Sequence, residues 1–232
     1  VEQVYVIGCL SQRYGAELQE EIPEVDAFFG KFDWKGVLER MGEHFDERIR
    51  NQRVLTTPDH YAYLKISEGC NRTCSYCAIP IMTGKHKSRD FEELLEECRA
   101  LVKGGVKDLY GKNRLAELIG RIADIEGLEW IKLHYAYPAG FPLELLTVMR
   151  ERPNVCKYLD IALQHCSDHM LQQMRRGISK KQTIELIRKI RQEVPGIFIR
   201  TTLMTGHPGE TAEDFEELCE FVREMRFERL GV

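Results

Sequence analysis

No stretch of this chain approaches the roughly 18 consecutive apolar residues that a membrane-spanning helix requires, so no membrane partner is expected. The opening residues, VEQVYVIGCLSQ, carry neither a basic segment nor a cleavage-like end, and no export signal is read there. An excess of positive charge is also missing. Against 37 Asp and Glu stand 33 Lys and Arg, a formal net charge of -4 over 232 residues. That balance removes the broad positive field on which a non-specific nucleic-acid binder relies. Together these absences point to a soluble, cytoplasmic protein.

What is present begins with a hydrophobic fraction of 43%, enough for a proper core in one large domain or two smaller ones. Two short basic runs, Lys85-His86-Lys87-Ser88-Arg89 and Arg175-Arg176, read as solvated faces. There are eight cysteines, and without an export signal the clustered ones favour metal or redox use over disulfides. Cys98 and Cys219 fall at apolar helical spacing and Cys156 opens a strand-like run, so these three read as small core residues.

Along the chain, 4–8 reads as a buried strand, 11–21 as a helix stopped by Pro23, 25–30 as a second strand and 34–45 as a second helix. Residues 1–45 are thus a fragment of a smaller α/β domain. Residues 46–60, DERIRNQRVLTTPDH, are polar and end near a proline, as a linker does. From 61 to 232 six strand-like runs (61–67, 106–109, 130–135, 158–163, 197–204 and 227–232) alternate with helical patterns at 90–103, 113–126, 142–152, 167–176 with 180–193, and 211–225. Such alternation gives a parallel sheet covered by helices, either doubly wound or curled toward a barrel, with function at the strands' C-terminal ends. Only residues 110–112 separate the second strand from its helix, so residues are expected to be missing between Leu109 and Gly111. The chain starts inside a strand and stops at a strand's end, and both ends look truncated.

Directly after the first strand of this series comes SEGCNRTCSYCAIP, with three of the eight cysteines within eight positions. Spacings of four and three would put Cys70, Cys74 and Cys77 on one face of a helix. Gly69, Asn71 and Pro80 leave too little room for a stable helix there, so a loop is expected. A loop can wrap three thiolates around one inorganic centre. Zinc usually takes four protein ligands, and the nearest fourth candidate, His86, lies in a basic run. A four-iron cluster takes one cysteine per iron, so three cysteines leave one iron open to bind something else.

The C-x-x-x-C-x-x-C spacing, with Tyr76 before the last cysteine and a six-unit β/α series behind it, resembles the radical S-adenosylmethionine (SAM) superfamily. The resemblance implies a six-unit (β/α) partial TIM-type barrel over 61–232. It also implies a [4Fe-4S] cluster on Cys70, Cys74 and Cys77 whose open iron is chelated by SAM. An electron from the cluster would cleave SAM to methionine and a 5'-deoxyadenosyl radical, which abstracts hydrogen from an unactivated carbon. Because such a radical attacks any nearby C–H, an enclosing sheet suits the chemistry.

VYVIGCLSQRYGAELQEEIPEVDAFFG further resembles the end of the amino-terminal domain of the methylthiotransferases, which carries a second [4Fe-4S] cluster. Cys9 matches the last of its three ligands. CSYCAIPIMTGKHKSR, LHYAYPAGFP, DIALQH, MRRGISKKQT, RTTLMTGHPGETAEDFEEL and RFERLGV together are similar to the RimO type, over nearly the whole chain. That resemblance implies insertion of a methylthio group at the β-carbon of an aspartate in a small-subunit ribosomal protein, with a second SAM as methyl donor. It also implies an electron donor such as a flavodoxin-type reductant, and RNA contact through a module beyond residue 232. For SAM binding it places Tyr76 by the adenine, Gln164 and His165 at the end of the fourth strand, Arg200 as partner of the SAM carboxylate and Glu210 facing the pocket. Each has a structural alternative: Arg200 as an ion-pair partner, His134 and His165 as satisfied core histidines, and Gly206 and Gly209 as a turn capped by Thr211. Ala162 and His207 depart from the expected proline and phenylalanine without touching a proposed ligand, and the family's Gln-Asp pair after the second strand has no counterpart. Rival readings are methylthiolation of adenosine in tRNA and a non-catalytic, metal-stabilised binding module.

Overall fold

The computed structural model describes residues 3–31, 33–44, 54–105, 108–110 and 115–232, with side chains described except at 108–110 and 115. Residues 1–54, 68–73 and 77–87 form one compact unit, and 55–67, 74–76 and 88–232 a second. The change at 54 and 55 falls within the expected linker, of which 46–53 lies outside the described residues. The cysteine segment, expected wholly in the second domain, is instead divided between the units.

In the first unit β1 (Tyr5–Gly8) and β2 (Ala27–Gly30) pair in parallel, joined by α1 (Cys9–Glu21). The expected helix at 11–21 begins two residues earlier, at Cys9 itself, and is kinked at Tyr14. Tyr5 and Phe29 meet edge to face at 5.8 Å. The next helix, α2 (Trp34–Arg40), is shorter than the expected 34–45 because Met41 and Gly42 turn the chain; Phe45 is outside the described residues. A third, α3 (Ile79–Thr83), packs on α1 and carries Pro80 in its first turn, where a missing N–H is tolerated. Gly69 (φ 75°) passes so close to the next pass of chain that a Cβ would lie 2.3 Å from the Lys85 carbonyl oxygen and 2.6 Å from that of Gly84.

The second unit is built on six parallel strands: β3 (Tyr61–Tyr63), β6 (Asp108–Tyr110), β7 (Trp130–Ala136), β8 (Val155–Gln164), β9 (Phe198–Leu203) and β10 (Arg229–Gly231). Between β3 and β6 a two-stranded ribbon, β4 (Ser67–Glu68) with β5 (Lys87–Ser88), frames residues 69–86. The expected strand at 61–67 therefore breaks in two. Its Lys65 and Ile66 carbonyls accept from Arg89, at 3.1 and 2.9 Å, in place of a sheet neighbour. The expected strand at 106–109 starts outside the described residues, as do the three-residue loop at 110–112 beyond Tyr110 and the start of the expected helix at 113–126.

Strand order is β10-β9-β8-β7-β6-β3, each strand beside its neighbour in the series. Such an order has no reversal point. Crossovers of one hand then lay the helices on one face, which is the winding of a barrel segment and not of a doubly wound sheet. The crossover helices are α4 (Phe91–Lys103), α5 (Leu115–Ala123), α6 (Glu144–Glu151), α7 (Asp168–Gln173) with α8 (Lys180–Glu193), and α9 (Ala212–Met225). Period-two alternation sets the core: Ile131, Leu133, Leu159, Ile161, Leu163, Ile199 and Leu203 are buried with Leu95, Ile119, Leu145, Ile187 and Phe221 of the helices. Each such side chain contributes about 1.5–3 kcal/mol of burial. Cys98 belongs to this core as expected, whereas Cys156 and Cys219 are only half-buried.

Helix starts follow their caps. Asp90 accepts from the amides of Glu92 and Glu93 at 3.0 Å, and Ser179 and Thr211 each close a capping box. The Thr211 box is buried at its Asp214, whose carboxylate accepts from Ser167 Oγ, His169 Nδ1 (2.8 Å) and Thr211 Oγ1 (2.9 Å). The Ser167 bond foremost, then those from His169 and Thr211, holds this carboxyl well below its ordinary 3.8, against the opposing effect of burial.

Two outcomes are expected. A depressed carboxyl contributes stability above its unfolded pKa that is lost as pH falls toward the folded one. Asp214→Asn should therefore lower the urea midpoint at pH 7, by an amount that shrinks as pH falls below about 4. Gly69→Ala should lower stability by roughly 1–3 kcal/mol, since backbone must move to admit its Cβ; denaturant unfolding measures it.

Candidate functional site

The loop framed by the β4–β5 ribbon carries all three clustered cysteines outside any helix, as Gly69 and Asn71 predict. Asn71 Oδ1 accepts from the His86 amide at 3.0 Å, and the Cys70 amide donates to the Gly84 carbonyl at 3.1 Å, so one side-chain and one backbone bond close this part of the loop. Cys70 and Cys77 are half-buried, as is Cys9 at the first position of α1. None of the three is in a disulfide.

Within the second unit, Cys74 is buried and the residues after it are pinned to the end of α7. The Ser75 amide donates to the Met174 carbonyl at 3.2 Å, and Ser75 Oγ meets His207 Nε2 at 3.2 Å. The local cause is the way α7 stops. Arg175 adopts the left-handed conformation (φ 55°), its amide donating to Gln172 O and that of Arg176 to Leu171 O, both at 2.9 Å. This 6→1 and 5→2 pairing is a Schellman motif, and it shortens the expected helix at 167–176 to Asp168–Gln173.

The motif turns Arg176 inward while Arg175 stays exposed. Arg176, only 3% exposed, was read from its basic run as solvated. Its Nη1 donates to Tyr76 Oη at 2.9 Å and lies 3.6 Å from Cys74 Sγ; its Nη2 donates to the Ala162 carbonyl of β8. Its guanidinium carbon stands 4.2 Å over the Tyr137 ring, whose hydroxyl donates to the Arg176 carbonyl at 2.5 Å. Burial raises the Tyr76 phenol well above its ordinary value, partly offset by Arg176.

Where the strands end, the backbone is strained. Tyr135 (φ 62°) and Gln164 (φ 70°) are left-handed, and the β7–β8 and β8–β9 registers shift beside them. Gln164 is half-buried at the sheet's C-terminal end, where sequence places it. His165 is fully buried and satisfied at both nitrogens: Nδ1 accepts from the Ser167 amide at 3.1 Å, which leaves Nε2–H to donate to Glu210 Oε1 at 3.1 Å. Glu210 also accepts from the Gly206 amide, so its carboxylate closes the TGHPGET turn onto the end of β8. His165 thus takes the core role, and Glu210 holds a turn.

On the sheet face away from the helices, Arg200 Nη1 lies 2.8 Å from both oxygens of the buried Asp160, the ion-pair role for this arginine. His134 Nδ1 stands 3.7 Å from the same carboxylate; burial, then Lys132, holds its pKa below the ordinary 6.5. Lys132 Nζ sits 3.9 Å over the Tyr158 ring. His207, set aside as remote from any proposed ligand, lies edge-on to Tyr76 at 6.5 Å.

Sequence reasoning missed Arg176, Tyr137 and Asp160, and passed over Cys166. Burial pushes the Cys166 thiol up to about 12, which makes it an inert core group. No periodicity separates Arg176 from Arg175; only the helix stop does.

Among the described residues no group of three or more His, Cys, Asp or Glu side chains is arranged to hold a metal ion, and no helix is long and apolar enough to cross a membrane. The fit to a cluster therefore rests on donor chemistry. Three unbridged thiols share one short loop, and Arg176, whose Nη1 lies 3.6 Å from Cys74 Sγ, is buried with its Nε unpartnered. Thiol-only donors suit iron–sulfur centres, and a cationic neighbour suits a thiolate.

A family profile described as the radical SAM superfamily matches residues 64–222. The whole chain aligns at 62% identity with "Ribosomal protein uS12 methylthiotransferase RimO" of Porphyromonas gingivalis, covering 56% of that protein, and at 61% with the protein of the same name from Bacteroides fragilis, covering 57%. The chain thus spans a little over half the length of these relatives. Both alignments run over 245 positions against 232 residues here, so the relatives carry residues without a counterpart in this chain. Among solved structures, the cobalamin-dependent SAM radical enzyme OxsB superposes with a TM-score of 0.66 over 94% of this chain and 38% of its own, at 13% identity. The radical SAM methyltransferase TsrM of Kitasatospora setae gives 0.62 over 78% of this chain and 39% of its own, at 18% identity. These two likenesses concern fold alone, and they agree with the singly wound sheet. By sequence family and by architecture, the chain belongs to the radical SAM superfamily.

Proposed function

We propose that this chain is the radical SAM portion of a methylthiotransferase that modifies ribosomal protein uS12 at the β-carbon of an aspartate. The observation that carries the reading is identity of about three residues in five, along the whole chain, to proteins named as methylthiotransferases of ribosomal protein uS12. The C-x-x-x-C-x-x-C loop, which follows β3 by way of the short β4, supports it.

Cys70, Cys74 and Cys77 would hold one [4Fe-4S] cluster, and Cys9 one corner of a second whose other ligands precede it in the resemblance. A cluster held by Cys70, Cys74 and Cys77 would supply one-electron reducing chemistry to bound SAM. The chain's own residues do the rest of the work. Arg176 and Tyr137 hold Cys74 and Tyr76 against β8, leaving the Tyr76 ring as a candidate wall for the adenine. Gln164 presents a half-buried amide at the strand end and is retained as a SAM contact. His165 and Glu210 serve the cofactor by fixing the TGHPGET turn. Arg200, tied to Asp160 through one nitrogen, keeps its remaining donors for the SAM carboxylate. The expected flavodoxin-type electron donor, the RNA contact and the cytoplasmic location belong to this same reading.

Anaerobic reconstitution of the full-length protein with iron and sulfide should give a species that releases 5'-deoxyadenosine from SAM. Cys74→Ala should abolish that release; a variant that still makes 5'-deoxyadenosine refutes the assignment. Mass spectrometry of a strain lacking the enzyme should show uS12 without the methylthio mass and tRNA unchanged; the reverse pattern would move the substrate to tRNA adenosine.

A further inference from the structure

Arg176 is unlike the other arginines described in the second unit. At 3% exposure it is buried with no carboxylate among its hydrogen-bond partners, and its Nε is the one buried side-chain nitrogen or oxygen without a partner among the described residues. Removing a guanidinium from water is costly unless every donor is met, and the usual remedy, a paired acid, is missing. Arg200 and Arg191, by contrast, are partly exposed and each meets a carboxylate. What Arg176 faces is a sulfur, a phenol, a carbonyl and an aromatic ring. The uncompensated positive charge therefore points to a negative partner at Cys74.

Geometry gives this charge little freedom. Nη2 is tied to β8 at the Ala162 carbonyl, the guanidinium is stacked on Tyr137, and the Schellman motif fixes the backbone that delivers it. Nη1 is left to serve both Cys74 Sγ and Tyr76 Oη. Three of these anchors lie on separate elements, so the Cys74–Tyr76 segment is held from β8, from the turn after β7 and from the end of α7.

We infer that Arg176 is a positioning residue which clamps the Cys74–Tyr76 segment and sets a fixed positive charge against the Cys74 sulfur, making one-electron reduction of a cluster held there easier. The inference rests on the cluster reading above. A fixed cation stabilises the state that carries one more electron, so its removal drives the midpoint potential more negative. A residue that merely filled space would leave the potential unchanged.

The test uses the full-length protein, wild type, Arg176→Gln and Arg176→Lys, each with and without anaerobically reconstituted cluster. Iron content is measured first, then the potential by a dithionite titration followed by electron paramagnetic resonance. Expected is a shift to more negative potential in Arg176→Gln, with Arg176→Lys restored most of the way to wild type. Unchanged potential in a fully loaded Arg176→Gln overturns the inference, while a wild type that takes up no iron overturns the cluster reading itself. Hydrogen exchange of the cluster-free protein supplies the second readout should the Gln variant fail to fold. Loss of one charged hydrogen bond in Arg176→Lys should speed exchange at the Ser75 amide on the order of ten-fold. Exchange at the wild-type rate would remove the clamp.

Discussion

Alternation along β8 is the constraint on which the second unit depends. Leu159, Ile161 and Leu163 are buried with the helices, while Tyr158, Asp160, Ala162 and Gln164 occupy the intervening positions. A side-chain period of two leaves no latitude, because a slip by one residue would carry the ion pair into the helix-facing core and expose the aliphatic set. The same alternation recurs on β7, with Ile131 and Leu133 against Lys132 and His134, and on β9, with Ile199 and Leu203 against Arg200. A face lined by the Asp160–Arg200 ion pair with the His134 imidazole beside it is the kind of surface a polar cofactor can lie on.

Regularity gives way where chemistry is expected. Left-handed residues and register shifts fall at the C-terminal ends of β7 and β8, and one further β7–β8 shift lies near their start, between Ile131 and Leu133. Strain of that kind persists only where surroundings over-determine it. Here they do: the Gln164 carbonyl is held by the Met204 amide at 2.7 Å, and the next residue, His165, is locked between Ser167 and Glu210. The TGHPGET turn thus braces the strand end beneath it.

Local pattern carried the architecture, and long-range geometry carried most of what was missed. Helix starts were legible because Asp90, Ser179 and Thr211 cap through contacts only two or three residues away. The break in the first strand was not, since it depends on Arg89 donating to carbonyls 23 and 24 residues earlier in the chain. His165 looked like a pocket residue from its place at a strand end; its partner Glu210 stands 45 positions on. Arg176 looked solvated because its neighbour Arg175 is, and the two part company only where the helix stops. Cys156 and Cys219 show a related limit: apolar spacing says which face a residue shares, not how deeply that face is covered.

The strand order, in which every member lies beside the one made just before it, has a bearing on how the chain is born. Each crossover can dock on a surface the ribosome has already released, so no early segment waits for a late one to complete its pairing. Loop closures stay short, the entropy of each is small, and assembly can follow synthesis from one end to the other.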